Sequence, residues 1–360
     1  MSVPAIVSGP HAHSKLSVTE TMIMVMICLM PATGLGFYQF GLPAVFLFAV
    51  TVISALAFEV LCLVIARRPV PRFLFDGSAA LTGWLLAMTL PPWAPWWVGT
   101  TGAFLAIVIA KHAYGGLGQN LFNPAMVARA ALLIALPVQM TMWVLPQPLG
   151  TPVSPNLSEA LAITFGGATH PDGLSGATVL GSVSAALDSG QDLFAIMTET
   201  DSVQSLLMGQ TAGSLGETGA IFLLAGGLLL ITVRIITWHI PTALLGSVVL
   251  LSGFLHILDP SQYPTPLWHL ASGGLMLCAF FIATDYVTSP ISTLGKFIYG
   301  AGIGALIVVI RTWGAFPEGV AFAVLLMNGC TPLIEEYTRP RVFGRTRKGQ
   351  PLDLPEEIAK

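Results

Sequence analysis

The sequence predicts an all-α polytopic membrane protein with about ten transmembrane helices, some of them broken or re-entrant, and with both termini on the cytoplasmic side. Three observations lead to this fold class. Of the 360 residues, 54% are apolar and only 9% are charged, whereas a soluble domain carries about 25% charged residues. Apolar runs long enough to cross a bilayer recur along the chain. The basic residues flank these runs in an alternating pattern.

Apolar runs of the required length define the predicted spans. A helix that crosses the hydrocarbon core needs about 20 mostly apolar residues. The first run has no small-residue cleavage site after it, so we expect a span rather than a signal peptide. The third run has about 15 residues and covers about 22 Å, so it is either a partial span or has its ends buried in protein. The ten predicted runs are 21–40, 43–66, 77–91, 95–114, 124–145, 219–237, 240–258, 267–287, 295–311 and 318–337.

The basic residues predict the orientation of the chain. With the N-terminus inside, the flanking Lys and Arg residues face the cytoplasm, and Arg311 is the exception. This divides the chain into a first membrane half at 1–145, an extracytoplasmic loop at 146–217, a second membrane half at 218–338 and a basic cytoplasmic tail at 339–360. The basic residues that agree are Arg67, Arg68, Arg72, Lys111, Arg234, Lys296, Arg339, Arg341, Arg345, Arg347 and Lys348.

The loop at 146–217 is longer than a helix connection requires. Loops of this length are usually functional or disordered, and a tolerated insertion is the alternative. No Lys or Arg lies between Arg129 and Arg234. The acidic residues in that interval are Glu159, Asp172, Asp188, Asp192, Glu199, Asp201 and Glu217.

The most informative part of this loop is the sequence DGLSGAT at 172–178. Small neighbours leave the Thr178 hydroxyl open, and Gly173 permits a tight turn. Threonine is a weak nucleophile and needs outside activation; Asp172 could orient the hydroxyl or a metal ion of a modifying enzyme. The motif therefore predicts an accessible, uncrowded nucleophile. The alternative is a Ser/Thr-rich turn that caps a helix starting near Val179.

A second candidate site lies between the fourth and fifth runs, at Lys111–Ala125. Three glycines and Pro124 exclude a regular helix there. Non-helical backbone at membrane depth is tolerated where it is buried in protein or lines a cavity. The amides of Asn120 and Asn123 could bind a planar heterocycle or a cation. A plain structural turn is the alternative.

Three acidic residues are candidates for an ion path. Glu59 lies within the second run, and Asp76 and Asp285 lie near the cytoplasmic ends of the third and eighth runs. Acids inside a membrane are costly and are by default functional candidates. Helix capping is the alternative for Asp76 and Asp285.

The four cysteines form no C-x-x-C pair, so they predict no metal site within the chain. We expect small packing residues; a cluster assembled across helices or subunits is the alternative. The net charge of −3 gives no indication of nucleic-acid binding.

Three motifs together resemble the D subunits of Rnf complexes, the ion-translocating ferredoxin:NAD oxidoreductases. They are GGLGQNLFNPA at 115–125, DGLSGAT at 172–178 and FFIATDYVTSP at 280–290. The B subunit of the sodium-pumping NADH:quinone reductase is a more distant match. The resemblance covers nearly the whole chain. Tyr286 stands where this family usually has proline.

The resemblance implies that Thr178 carries FMN through a phosphoester bond. A periplasmic flavin transferase would attach it, with Asp172, Ser175 and Gly176 as recognition elements. A second, noncovalent riboflavin or FMN is also implied, with Asn120 and Asn123 as its candidate contacts. The acidic loop is expected to disfavour an anionic reduced flavin and so to lower its potential.

The implied function is that of an integral flavoprotein subunit in the bacterial inner membrane. It would transfer electrons between ferredoxin and NAD, coupled to ion translocation, together with Rnf subunits A, B, C, E and G and membrane lipid. Carboxylates serve both sodium and proton paths, and both directions of electron flow fit the sequence. A channel without redox function is the alternative. A scaffold whose acids complete the ion path of the complex is a third possibility.

Overall fold

The computed structural model describes residues 17–166, 175–176, 178–189, 203–314, 316 and 318–339, and this part is built almost wholly from helices. The described helices are α1 (Val18–Ile65), α2 (Val70–Leu74), α3 (Ser78–Thr89), α4 (Trp96–Phe104), α5 (Pro124–Ala135), α6 (Pro137–Thr141), α7 (Leu157–Phe165), α8 (Val179–Asp188), α9 (Val203–Met208), α10 (Ala220–Thr232), α11 (His239–Leu258), α12 (Pro266–Ala271), α13 (Leu275–Leu277), α14 (Thr293–Trp313) and α15 (Val320–Tyr337).

Short irregular elements interrupt this helical pattern. A π-helix at Leu105–Lys111 extends α4 and leads into a 3₁₀ turn at His112–Tyr114. A second π-helix at Cys278–Ile282 extends α13. The two-residue strands β1 (Trp143–Val144) and β2 (Ser175–Gly176) pair antiparallel.

Long apolar helices identify a membrane protein. Within the described residues α1, α11 and α14 are long and apolar enough to cross a bilayer, and α3, α5 and α10 are shorter apolar helices. Large aliphatic side chains are exposed on the outside of these helices, such as Ile257 and Leu250 on α11, which are 80% and 74% exposed. Such a surface needs lipid around it.

The helix α1 is a hairpin of two helices. A straight helix of its 48 residues would extend about 72 Å, more than twice the hydrocarbon thickness. Gly41 interrupts it with a left-handed φ of +74°. Both ends of the hairpin lie beside the start of α3, because Met22 packs against Gly77 and Glu59 binds Lys111, which contacts Ser78. The predicted first and second runs therefore form an antiparallel pair.

Two predicted runs are not continuous helices. The prediction of one span at 124–145 was wrong beyond Ala135. Helix α5 ends before Pro137, because proline has no N–H group with which to continue the helix. The run at 267–287 is broken after α12, where Gly273 has a φ of +65°. In both cases a residue with restricted or unusual backbone geometry overrides the apolar composition.

Helices α11 and α14 pack closely through glycine. A Cβ on Gly300 would lie 2.7 Å from the Ile240 carbonyl oxygen, and one on Gly304 would lie 2.4 Å from that of Leu244. The spacing Gly-x-x-x-Gly places both glycines on one face, which allows two helix backbones to approach.

Arg311, the exception to the charge pattern, is a buried residue rather than a loop residue. Its guanidinium donates to the carbonyl oxygens of His269 and Ser272, both at 2.9 Å. Internal hydrogen bonds therefore account for its position.

Candidate functional site

A large cleft lies beside the starts of α1, α3 and α5 and the end of the second π-helix. It encloses about 770 Å³, including its opening, which is within the range of small-molecule sites. Aliphatic and aromatic side chains form most of its wall. Its polar lining residues are Thr21, Ser78, Thr82, Lys111, Asn120, Asn123, Thr284, Asp285 and Tyr286.

The loop that forms one wall depends on glycine. Gly115, Gly116 and Gly118 have φ angles of +116°, +101° and +86°, values that other residues adopt only with strain. These three residues turn the chain between the π-helix and α5. The prediction of non-helical backbone that lines a cavity is therefore confirmed for this loop.

The loop asparagines both line the cleft and hold the loop together. Asn123 caps α5, because its Oδ1 accepts hydrogen bonds from the N–H groups of Ala125 and Met126. The Nδ2 of Asn120 donates to the Phe122 carbonyl oxygen at 3.1 Å. The other ends of the two amides make no hydrogen bond to any described residue. They are the groups that a ligand in the cleft could use.

Two of the predicted acids are joined by a hydrogen-bonded chain. Lys111 Nζ lies 2.9 Å from Glu59 Oε2 and 2.9 Å from Ser78 Oγ. The Ser78 hydroxyl in turn donates to Asp76 Oδ1 at 2.6 Å. Glu59 and Lys111 are each 2% exposed, so the pair is buried and mutually neutralised.

The third predicted acid, Asp285, lies in the cleft wall. Its carboxylate accepts hydrogen bonds from the Val287 N–H at 3.3 Å and the Thr288 hydroxyl at 3.2 Å. Ser78 and Lys111 line the same cleft. Asp285 therefore lines the cleft directly, whereas Glu59 and Asp76 are connected to it only through Lys111 and Ser78.

A second, smaller site surrounds Thr178. Strand β2 pairs Gly176 with Trp143 and Ser175 with Val144, which fixes the chain just before this residue. A cavity beside Thr178 is bordered by residues from four segments: Thr178, Val179, Leu180, Leu206, Thr211, Ala212, Glu217, Ala271 and Gly273. Asp172 lies outside the described residues.

The prediction that Thr178 is accessible and uncrowded was wrong. The residue is 3% exposed, and its Oγ1 accepts a hydrogen bond from the Gly181 N–H at 3.1 Å. This is the N-cap interaction that satisfies a free N–H at the start of α8. Val179 and Leu180 pack in a hydrophobic cluster with Trp268, and this packing buries the start of α8 together with Thr178.

A buried charged cluster lies next to this cavity, and sequence reasoning did not find it. It consists of Arg129, Glu217, Arg311 and Glu318. Arg129 Nη2 lies 3.1 Å from Glu318 Oε2, and its guanidinium lies 5.7 Å from the centroid of the Trp143 ring. Within the described residues, Arg129 Nη1 and Arg311 Nε are buried without a hydrogen-bond partner. The one available signal was Arg311, which departed from the charge pattern.

Comparison with known proteins identifies the family to which the sequence is similar. The model of the NQR2, RnfD, RnfE family matches residues 5–344. The D subunit of the ion-translocating oxidoreductase complex of Stutzerimonas stutzeri is 52% identical over 338 residues, which cover 94% of this chain and 95% of the relative. The protein of the same name from Rhodobacter capsulatus is 53% identical over 304 residues, 84% of each chain. That from Vibrio vulnificus (strain YJ016) is 42% identical over 356 residues, 94% of this chain and 99% of the relative.

Proposed function

The chain belongs to the NQR2, RnfD, RnfE family, and from this membership we propose that it carries FMN on Thr178 and transfers electrons within an Rnf-type complex. It is a subunit of an ion-translocating oxidoreductase complex, as its relatives are named. The proposed electron path runs between ferredoxin and NAD and is coupled to ion translocation across the bacterial inner membrane. The proposed partners are Rnf subunits A, B, C, E and G and surrounding lipid.

The observation that carries the proposal is the setting of Thr178. The residue sits at a fixed helix start beside a small cavity, and Gly273, which lines that cavity, lies against Arg311, whose buried Nε has no hydrogen-bond partner among the described residues. Gly273 keeps the cavity open, since a Cβ there would lie 2.8 Å from Arg311 Nη2 and 2.9 Å from Leu180 Cδ1. Unpaired buried donors are costly. A phosphoester at Thr178 supplies the negative charge that such donors favour, so the residues fit the group.

The chain's own contribution is position and electrostatics. FMN, when bound, supplies the redox chemistry. The pairing of Ser175 and Gly176 with β1 fixes the segment that carries the attachment point. Because Thr178 is buried in its cap, this segment must open before a periplasmic flavin transferase can reach the hydroxyl. Asp172, Ser175 and Gly176 remain the proposed recognition elements for that enzyme.

Covalent flavin tests the attachment directly. We expect the chain, produced with its flavin transferase, to show in-gel flavin fluorescence and one FMN-sized mass increase, both lost in Thr178→Val. Thr211→Val changes a neighbouring cavity residue in the same way and serves as the matched control, with fluorescence retained. Fluorescence that persists in Thr178→Val contradicts the assignment of this residue.

A second, noncovalent flavin is proposed for the large cleft. Its support is the cleft's size, the aromatic rings of Phe280 and Phe281, and the free amide ends of Asn120 and Asn123. Denaturing the Thr178→Val chain should release riboflavin or FMN. The same chain with Asn120→Leu added should release none, because it no longer binds this flavin before denaturation. Gln119→Leu, in the same loop, is the control. Equal release from all three variants contradicts the site.

An ion path through Glu59, Asp76 and Asp285 is proposed from their convergence on this cleft. A conservative test replaces each acid by its amide and measures electron transfer and ion uptake separately in the complex. We expect electron transfer to continue while ion uptake falls. Unchanged coupling in all three variants would show that the acids are structural.

We further propose that the large cleft faces the cytoplasm and Thr178 faces the periplasm. The two sites lie at opposite ends of α3: Ser78 lines the cleft, and the Met88 carbonyl oxygen accepts a hydrogen bond from Gly216 N–H beside Glu217. The pattern of basic residues supports this orientation. Part of that pattern, from Arg341 to Lys348, lies outside the described residues.

A further inference from the structure

Four buried ionisable side chains converge behind the Thr178 cavity. A Cβ on Gly273, a residue of that cavity, would lie 2.8 Å from both Arg311 Nη2 and Glu318 Oε1. Glu318 binds Arg129, and Glu217 lines the Thr178 cavity itself. The charges of this cluster therefore lie immediately next to the proposed flavin attachment point.

The two acids of the cluster are in different situations. Both oxygens of Glu318 are engaged: Oε2 with Arg129 and Oε1 with the Gly274 N–H at 2.8 Å. Glu217 instead accepts two hydrogen bonds from Ser214 at its Oε1, from the N–H at 3.1 Å and the hydroxyl at 2.6 Å. Among the described residues, no Lys or Arg nitrogen forms an ion pair with Glu217. Glu217 is thus the buried acid of this cluster without an ion-pair partner.

Burial without such a partner favours the neutral form of the Glu217 carboxyl. Burial raises its pKa to about 8, and the nearby Glu318 carboxylate adds to the increase, while Ser214 and Arg129 oppose it. Arg311 also faces Glu217. His269 and Cys278, on which Arg311 acts, are the other titratable groups described around the cluster.

The protonation of Glu217 sets the net charge of the cluster. With Glu217 neutral, Arg129 and Arg311 outweigh Glu318 and the cluster carries +1; with Glu217 ionised, the charge is zero. A positive charge favours an electron on a neighbouring group, and its loss disfavours that electron. This contribution is opposite in sign to the one expected from the acidic loop.

We propose that Glu217 is a redox-linked proton site that tunes the potential of the flavin on Thr178. The inference rests on the proposed function. Above the pKa of Glu217, where its carboxylate is ionised, the arrival of one electron from a one-electron carrier of the complex is accompanied by the transfer of one proton from a hydronium ion on the outer side. One O–H bond of the hydronium ion breaks, leaving water, and one O–H bond forms at the carboxylate. The proton leaves when the electron leaves. Glu217 acts through the electrostatic field and is a positioning residue rather than a catalytic one.

The first experiment examines Glu217 without any covalent flavin. Infrared spectra of the full-length Thr178→Val chain, recorded from pH 6 to pH 10, should show a protonated carboxyl band that disappears near pH 8. The band should be absent when E217Q is added. E159Q, which alters an exposed acid in the first turn of α7, should leave the band in place. Absence of a carboxyl band that titrates near pH 8 overturns the proposal.

The second experiment measures the midpoint potential of the covalent flavin between pH 6 and pH 10. Above about pH 8, where Glu217 is ionised in the oxidised chain, the wild-type chain should show a steeper fall in potential with pH than E217Q does. E217Q keeps the neutral form and the Ser214 hydrogen bonds, so folding should be preserved. Identical pH dependence in the two chains overturns the redox linkage, although the covalent flavin remains. Absence of covalent flavin in the wild type refutes the proposed function, and the infrared result still decides whether Glu217 titrates.

Discussion

At the scale of single residues, Lys111 illustrates how a cationic side chain is kept inside the membrane domain. It is buried at the end of a π-helix and bonds both Glu59 and Ser78. Each charge of such a pair is acceptable because the other is present; removing one leaves an uncompensated buried charge. The pair therefore fixes the end of the helix hairpin against the cleft loop.

Replacing Lys111 by methionine should destabilise the chain by up to about 3–5 kcal/mol, because the buried Glu59 then loses its lysine partner and keeps only His112, whose Nε2 lies 3.0 Å from Glu59 Oε2. The double variant Lys111→Met/Glu59→Gln should recover much of this loss. Thermal unfolding in detergent measures both effects. A double variant no more stable than the single one would show that the ion pair itself, and not the orphaned charge, is responsible.

Glu217 makes a second residue-scale prediction, for stability against pH. Its pKa of about 8 in the folded chain lies above the usual value of 4.5, so the folded state binds the extra proton between these values. Stability contributed by Glu217 is complete below about pH 4.5 and is lost as the pH rises through 8. The unfolding temperature should therefore fall between pH 5 and pH 8, and E217Q should reduce that fall. An equal fall in both chains contradicts the elevated pKa.

At the scale of secondary-structure elements, close packing of α11 and α14 depends on glycine. Gly304→Ala places a methyl group against the Leu244 carbonyl and should cost about 1–3 kcal/mol through overpacking. Gly246→Ala on α11 is the control, because a Cβ there meets nothing within 4 Å, and alanine improves helix propensity by up to about 1 kcal/mol. The unfolding temperature should fall in Gly304→Ala and should stay the same or rise in Gly246→Ala. The same temperature in both would contradict this account of the helix contact.

The sequence was sufficient to indicate where most of the apolar helices lie, because their ends coincide with proline, glycine or a capping side chain, but it did not indicate the short helices α2, α6, α7 and α9. Pro124, for example, begins α5 immediately after the Asn123 cap. Side-chain pairing between helices was not predictable in this way. Lys111 and Glu59 are 52 residues apart, and whether they meet depends on how each helix is rotated. The charged cluster behind Thr178 escaped prediction for the same reason.

The burial of Thr178 was a failure of a different kind. Small neighbours in a sequence indicate that a hydroxyl can be reached, but they do not prevent the hydroxyl from satisfying a helix end. The alternative interpretation of the motif, a cap at Val179, describes the observed conformation. Capping and flavin attachment are compatible uses of one oxygen, since an esterified oxygen still accepts a hydrogen bond.

At the scale of the whole molecule, the two candidate sites lie at the two ends of one helix. From Ser78 to Met88 is ten residues of α3, or about 15 Å along its axis. Arg129 and Met126 line a further small cavity between helices, together with Thr89 and Glu318. The two candidate sites are thus separated by a short, tightly packed helix, over a distance of about half the hydrocarbon thickness of a bilayer.

The proposed orientation makes a prediction for the whole molecule. A cysteine introduced at Ser158, exposed on α7, should react with a membrane-impermeant maleimide in spheroplasts. One introduced at Arg339, whose side chain is 72% exposed, should react only after the membrane is permeabilised. The native chain gives the background labelling of its four cysteines. Labelling of both positions in intact spheroplasts would contradict the topology.

The turn at Gly41 bears on how the protein is made. Two later N–H groups, those of Gln147 and Leu149, bind the carbonyl oxygens of Gln39 and Tyr38 at the tip of the hairpin, at 2.7 and 2.8 Å. During synthesis the hairpin exists before these partners have left the ribosome. Its tip carbonyls must then be hydrated. The first two helices would therefore enter the lipid as a unit whose tip carbonyl groups are bound to water. These carbonyl groups exchange water for the N–H groups of Gln147 and Leu149 only when about a hundred more residues have been translated.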